Sequence, residues 1–229
     1  MGKTFRVALI AVSFVAMAST TTFHSQSVAQ AADGRKSVGR EIKSAEEKLQ
    51  KLVGTANRDE ALVLATRLFE EYSEIAKKEP ANHVARSFAG VFGAFRCRYA
   101  SDTNKMSRYM NESIPLLDSS VDGALKGGQR KSLIAVLNNR ASVYIGIPSL
   151  FKKEKEVLDD AKMLVELAKK EKLNSLQTAR YNLLLARALN KNGDKTKARE
   201  VLDGVRKGPA GKNEEIRRSI DQIGAEVGP

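Results

Sequence analysis

Nucleophilic catalysis needs a general base within hydrogen-bond reach of the nucleophile, and this chain offers few such residues. Its 229 residues hold one cysteine, Cys97, and two histidines, His24 and His83. A zinc site of cysteine and histidine ligands asks for three or four of them, so that chemistry is excluded, and a lone cysteine closes no disulfide within the chain. A Cys97–His83 pair is the one thiol–imidazole arrangement left. Cys97 sits among Phe95, Arg96 and Tyr99 in a segment of helical apolar spacing, where a small buried thiol is the plainer reading; in an oxidising compartment it could instead bridge two chains. Carboxylates occur in adjacent pairs, Glu70-Glu71 and Asp159-Asp160. Neighbours on a helix point about 100° apart and do not converge on one substrate atom, so these pairs read as solvated faces. Phosphate loops, dinucleotide-binding glycine patterns, nucleophile elbows and zinc-helix motifs are all missing. The sequence presents no catalytic residue, no metal ligand set and no cofactor motif, and the expectation is a protein that is not an enzyme.

Positive charge is the chemistry the chain does carry: 39 Lys and Arg stand against 27 Asp and Glu, a net +12. Arg180, Arg187 and Lys191 are spaced so that they share one face of a helix, with Asn190 beside them. Such a row of donors suits carboxylates, as in an acidic or C-terminal peptide segment. The competing reading is that basic residues merely solvate an exposed helix, since a general excess of charge attracts anions without defining a site.

The elements that position this row lie between Thr178 and Lys207. Leu184, Leu185, Ala188 and Leu189 recur at helical spacing, Gly193-Asp194 interrupts, and Ala198, Val201, Leu202 and Val205 resume the period. The pattern is a helix-turn-helix in which the small Ala186 and Ala198 face each other and let the helices close. Leu185-Ala186, Leu189, Gly193-Asp194, Ala198 and Leu202, followed by Pro209, stand at the offsets of a tetratricopeptide repeat, and the stretch resembles that family. The bulky aromatic that usually opens the first helix is replaced, Tyr181 and Asn182 being nearest. The resemblance implies an all-α fold of antiparallel helix pairs stacked as a solenoid, with a binding role and no reaction. It also implies that the first helix of each pair lines a concave groove. Arg180, Arg187, Asn190 and Lys191, with Asn138 in a comparable place on the preceding first helix, are then the positions similar to those that contact peptide ligands.

At the start of the chain, Lys3 and Arg6 precede an apolar run from Val7 to Ala18, and Ala29-Gln30-Ala31 ends the polar segment that follows. This reads as a signal peptide over 1–31 cleaved after Ala31, with Ala16-Met17-Ala18 as a second site. The run is shorter than the ~20 apolar residues a spanning helix needs, so an uncleaved anchor is the weaker reading. Loss of this segment removes Lys3, Arg6 and no acid, taking the charge from +12 to +10, and leaves His83 as the only histidine. The mature chain is expected to be exported, periplasmic or extracellular, and not to span a membrane.

Composition points to helices throughout: there is no tryptophan, and aromatics make up 6% of the chain, with Ala, Leu, Lys, Glu and Arg dominant. Residues 32–56 form a charged amphipathic helix whose Val38, Ile42, Ala45, Leu49 and Leu52 make a narrow seam; it could cap the array or pair with its copy as a coiled coil. The helical-repeat domain then spans 57–229. Its expected helices run from Arg58 to Lys78, from an N-cap at Asn82 to Tyr99, from a cap at Asp102 past Pro115, which should kink or end it, from Gln129 to Ile145, and from Leu150 to Lys170 with Ser149 as N-cap. An aromatic stripe of Phe88, Phe92, Phe95 and Tyr99 reads as core, and Gly90 and Gly93 between the rings call for close approach of a neighbouring helix. Ala141 and Ala186 are too far apart for a strict 34-residue repeat. One well-formed repeat therefore follows two looser ones at 82–126 and 129–172. The segment Gly208 to Gly211 reads as a mobile joint before a last helix, 213–227, that caps the array.

Two functional readings remain. The first is an exported helical-repeat scaffold or adaptor that binds a protein or peptide in its groove. The second is a basic structural adaptor that adheres to anionic envelope polymer, cell-wall glycan or lipid headgroups, with nucleic acid disfavoured because exposed aromatics do not interleave the cations.

Overall fold

Short polar side chains set the starts of the helices, because each helix leaves its first amide N–H groups without an internal acceptor. The computed structural model describes residues 31–128 and 130–228; residues 1–30, with nearly all of the expected leader, lie outside the described residues. The helices are α1 (Ala31–Gly54), α2 (Arg58–Lys78), α3 (His83–Tyr99), α4 (Thr103–Gly127), α5 (Arg130–Gly146), α6 (Glu154–Lys170), α7 (Ser175–Lys191), α8 (Lys195–Lys207) and α9 (Glu214–Val227), with short 3-10 turns at Ser149–Phe151 and Pro209–Lys212. No strand occurs among the described residues. Asn82 Oδ1 accepts from the Ala85 N–H at 2.9 Å and Asp102 Oδ1 from the Lys105 N–H at 2.8 Å, so both expected caps are in place. Asn57 does the same for α2, accepting from Asp59 and Glu60.

Three local details bear on expectation. Pro115 does not end the helix, for α4 runs on to Gly127. Pro115 and Asn111, whose carbonyl loses its helical donor, are both exposed, so water can take that bond, while Tyr109, Met110, Ser113 and Leu117 are buried on the opposite side. Ser149 does not cap α6; its carbonyl accepts from the Lys152 N–H at 2.9 Å to close a 3-10 turn, with Lys152 in the left-handed region at φ 51°. The joint at 208–211 is a packed turn: Ala210 is buried, and a Cβ on Gly211 would stand 2.1 Å from the Arg206 carbonyl oxygen.

Helices adjacent in sequence pack against each other. Beyond that, α1 touches α3, α3 touches α5, α5 touches α7 and α7 touches α9, while the even-numbered helices make their substantial helix contacts only with their sequence neighbours. Thus α3, α5, α7 and α9 are joined in one row of contacts, with α1 touching both α3 and α5, and no substantial contact joins the even-numbered helices to one another. The apolar interior falls into two clusters, one spanning α1 to α7 and one built from α7, α8 and α9 around Ile216, Ile220, Ile223 and Val227.

The larger cluster centres on the aromatic stripe. Phe88, Phe92 and Phe95 are buried, and Tyr72 of α2 lies with its ring centroid 5.9 Å from Phe88 and 5.2 Å from Phe92. Gly90 and Gly93 admit α4 as expected: a Cβ at Gly90 would meet Leu117 Cγ at 2.6 Å, and one at Gly93 would meet Ser113 Oγ at 2.4 Å. Alanine is the better helix former by ~1 kcal/mol, yet the overpacking here costs more. Gly90→Ala is expected to lower stability by about 1 kcal/mol net, read as a lower urea midpoint; a raised midpoint would refute the close approach.

Candidate functional site

The five residues expected to face a ligand sit on the odd-numbered helices α5 and α7, and the three cations among them meet the protein's own groups. Arg180 is 7% exposed, and its Nη2 donates to both Glu215 oxygens of α9 at 3.0 and 2.9 Å. Arg187, two turns further along α7, has Nε 3.9 Å from Glu226 Oε2, also on α9, and burial holds its guanidinium below its ordinary pKa. Lys191 turns the other way. Its Nζ donates to the carbonyls of Tyr144, Ile145 and Ile147 at 3.0, 3.1 and 2.5 Å, closing the exit of α5, and burial lowers its pKa. Asn190 is half-buried, and Asn138 on α5 has a buried Oδ1 with no hydrogen-bond partner among the described residues. The structure therefore brings Arg180 and Arg187 together against α9 and sets Lys191 apart at the end of α5.

What covers this row near its middle is α1. It packs on α2, α3 and α5, and its Glu46 lies within electrostatic reach of Arg180 and Tyr181 on α7. Ala45 and Leu52 are fully buried, with Val38, Ile42, Leu49 and Val53 packed around them. The seam seen in sequence is thus the contact of α1 with its own chain. At the α2–α3 corner, Asn82 Nδ2 donates to both Glu41 oxygens at 3.0 and 3.2 Å, and Lys48 Nζ donates to Glu71 at 2.5 Å and stands 5.1 Å over the Tyr72 ring.

The densest group of ionisable side chains lies elsewhere, between α4, α5 and α6, and sequence reading missed it. Arg140 donates to both oxygens of Asp160, Nε to Oδ2 at 2.8 Å and Nη2 to Oδ1 at 2.7 Å, and from Nη1 to Asp118 at 3.1 Å. Tyr144 Oη and Lys153 Nζ also donate to Asp118, at 2.8 and 2.9 Å. Asp160, expected on a solvated face, is 2% exposed, and burial pushes its carboxyl above the usual range against the pull of Arg140. Its neighbour Asp159 is exposed, as expected, and pairs with Lys155. Every charged group in this cluster has a partner, so it locks three helices together and leaves no free acid or base directed at a substrate. Arg96 plays a similar part between α2, α3 and α4: its guanidinium lies 3.7 Å from the Phe69 ring centroid and 4.4 Å from that of Tyr109, and donates to Glu112 at 2.6 Å.

Cys97 and His83 do not pair. They sit near opposite ends of α3, fourteen residues or ~21 Å apart along a helix. His83 packs on α4, where a Cβ at Gly123 would meet its ring at 2.3 Å. Cys97 donates to the Met106 carbonyl at 3.3 Å, and burial pushes its thiol up to about 12. Among the described residues there is no cluster of three or more His, Cys, Asp or Glu able to hold a metal ion, and no helix long and apolar enough to cross a membrane. Comparison with protein-family models, with curated proteins and with solved structures finds no match.

Proposed function

We propose that the protein is an exported, non-catalytic helical-repeat scaffold, a tetratricopeptide-like solenoid whose row of odd-numbered helices holds a segment of another protein. The observation that supports this reading is that the row already carries a helix: α1 packs on α3 and α5 through an apolar seam, and its Glu46 lies within electrostatic reach of Arg180 on α7. A surface that seats one amphipathic helix has the shape and the apolar lining to seat another, the helix-in-groove mode of peptide recognition. Arg180 and Arg187 beside it favour a segment that carries carboxylates, with Glu215 and Glu226 of α9 standing where such a ligand's acids would compete.

The test is a cross-linking capture from the exported fraction of the protein's own cell, with Arg187→Glu beside it and Lys169→Glu with Lys170→Glu as a control at exposed positions. Lys191 is left intact because its replacement would uncap α5. Capture of a discrete protein at moderate salt, lost at least tenfold in Arg187→Glu and kept in the control, is the expected result. If all three forms hold the same anionic material and release it as salt rises, diffuse charge is at work, and adhesion to envelope polymer replaces the scaffold reading.

A further inference from the structure

The turns between helices fall on two edges of the stack. The starts of α3, α5, α7 and α9 share one edge with the ends of the even-numbered helices. There the His83 ring packs where a Cβ on Gly123 would stand 2.3 Å away, Arg130 pairs with Glu171 at 2.7 Å, and Arg180 reaches Glu215 at 2.9 Å. The other edge is closed by Arg58 on the Tyr99 carbonyl, Lys191 on the Tyr144 and Ile145 carbonyls, and Asn192 on the Glu154 carbonyl.

The two edges use their cations differently. On the second, most are spent on the protein's own groups, as Arg58 and Lys191 are, with Arg96 on Glu112, Lys153 on Asp118, Lys155 on Asp159 and Lys197 on Asp194. On the first, Lys126, Lys169, Lys170, Lys172, Lys207 and Lys212 are exposed, and among the described residues none of the six has a carboxylate within 4 Å. Acids are kept away from it in sequence: none occurs between Asp122 and Glu154, between Glu171 and Asp194, or between Asp203 and Glu214. Lysines in the last turns of α4, α6 and α8 suit helix C-termini. The helix dipole does not explain the rest, for α3, α5 and α7 start at this edge with no acid in their first turns, and α5 starts with Arg130-Lys131. Leu125, 49% exposed, stands next to Lys126.

We propose that this edge is a docking surface for an anionic phospholipid bilayer, with its lysines at the headgroups and Leu125 at the acyl boundary. The six unpaired cations are all lysines, point charges on flexible stems. They suit a smeared negative surface, where bidentate recognition of one anion would call for arginine forks. An exposed leucine among them adds the apolar contact that a purely ionic polymer could not use. Stacking on nucleic-acid bases needs aromatic side chains, and residues 123–133, 167–178 and 204–217 hold no Phe, Tyr or Trp. Helices α5 and α6, of 17 residues each, hold the two edges ~25 Å apart. That exceeds the ~8 Å screening length at physiological salt, so the edges act on a surface separately.

This goes beyond the scaffold reading and uses none of the cations of its groove, so the two fail separately. It is tested by co-sedimentation of the protein, purified from its own cell, with vesicles of mixed phosphatidylcholine and phosphatidylglycerol and with vesicles of phosphatidylcholine alone. Binding to the mixed vesicles that weakens as salt rises, and is at least about tenfold weaker without phosphatidylglycerol, is expected. Each cation at such a surface strengthens binding roughly fivefold, so Lys169→Ala with Lys170→Ala should weaken it more than about tenfold. Leu125→Ser should cost about threefold, and this loss should persist at raised salt. Removing the same charge from the opposite edge, by Lys152→Ala with Lys195→Ala beside the exposed Leu150, should change binding less than about twofold. Equal binding to both kinds of vesicle would overturn the proposal, as would equal losses in the two double variants, which is the mark of diffuse charge. Binding to double-stranded DNA as tight as to the mixed vesicles, with no effect of Leu125→Ser on either, would assign the edge to a soluble polyanion and overturn it too.

Discussion

Replacing Arg140 by alanine should cost about 3–5 kcal/mol of folding stability, the largest loss among single polar substitutions in this chain. The reason is what stays behind. Asp160, 2% exposed in the parent, loses both of its charged hydrogen bonds, and Asp118 keeps Tyr144 and Lys153 but loses its third donor. An uncompensated buried carboxylate is far costlier than an absent pair, so removing both partners together, as Arg140→Leu with Asp160→Leu, should recover much of the loss. The measurement is urea denaturation of the three forms, read as the midpoint at unchanged slope. The pH dependence has a fixed sign. With Arg140 gone, burial and the neighbouring Asp118 and Asp159 carboxylates act on Asp160 unopposed and raise its folded pKa further above the unfolded value; the folded state then binds the extra proton, and the deficit of Arg140→Ala narrows as pH falls. A deficit that widens in acid would show that Asp160 is not the buried charge responsible.

Phe92→Ala should match it, at about 3–5 kcal/mol, by a different route. Phe92 is fully buried between Tyr72 of α2 and Phe88 one turn before it, with centroid separations of 5.2 and 6.1 Å. The loss combines the transfer energy of the ring with a cavity that three packed helices cannot close, because Gly90 and Gly93 already hold α3 against α4 at contact distance. Unlike the Arg140 variant, this one should show no pH dependence of its deficit between the carboxylate and lysine ranges, and the same denaturation series separates the two mechanisms. Near-parent stability in Phe92→Ala would mean that the aromatic stripe is not the core of α2 and α3.

Features written within a few residues were legible before the structure. The caps at Asn82 and Asp102, the limits of α2 and the buried stripe of α3 depend on contacts inside one helix or across one turn, and hydrophobic spacing carries that information. What failed depended on distant chain. Asp160 reads as a surface acid until Arg140, twenty residues earlier on another helix, is placed against it. Pro115 reads as a breaker until the helix around it is pinned on its other side to α3. The basic row on α7 was correctly put on one helix, but the acids that meet it, Glu215 and Glu226, come from α9. A stronger clue lay in α1: a narrow apolar seam with Glu46 one position past its buried Ala45 needs a covering surface, and that surface is the rest of the chain.

The order in which α1 and its seat are synthesised imposes a delay. Glu46 leaves the ribosome first, while Arg180 and Tyr181, the α7 residues within its electrostatic reach, follow 134 and 135 residues later. At ordinary elongation rates that gap lasts roughly 10 s, whereas helices form and neighbouring pairs collapse in well under a millisecond. During that interval α2, α3 and α4 can assemble pair by pair, but the seam of Val38, Ile42, Ala45, Leu49 and Leu52 has only part of its seat to rest on. For those seconds α1 is the segment most available to a chaperone, to a second nascent chain or to a protease, and the nascent protein's vulnerability is concentrated in the helix that later covers it.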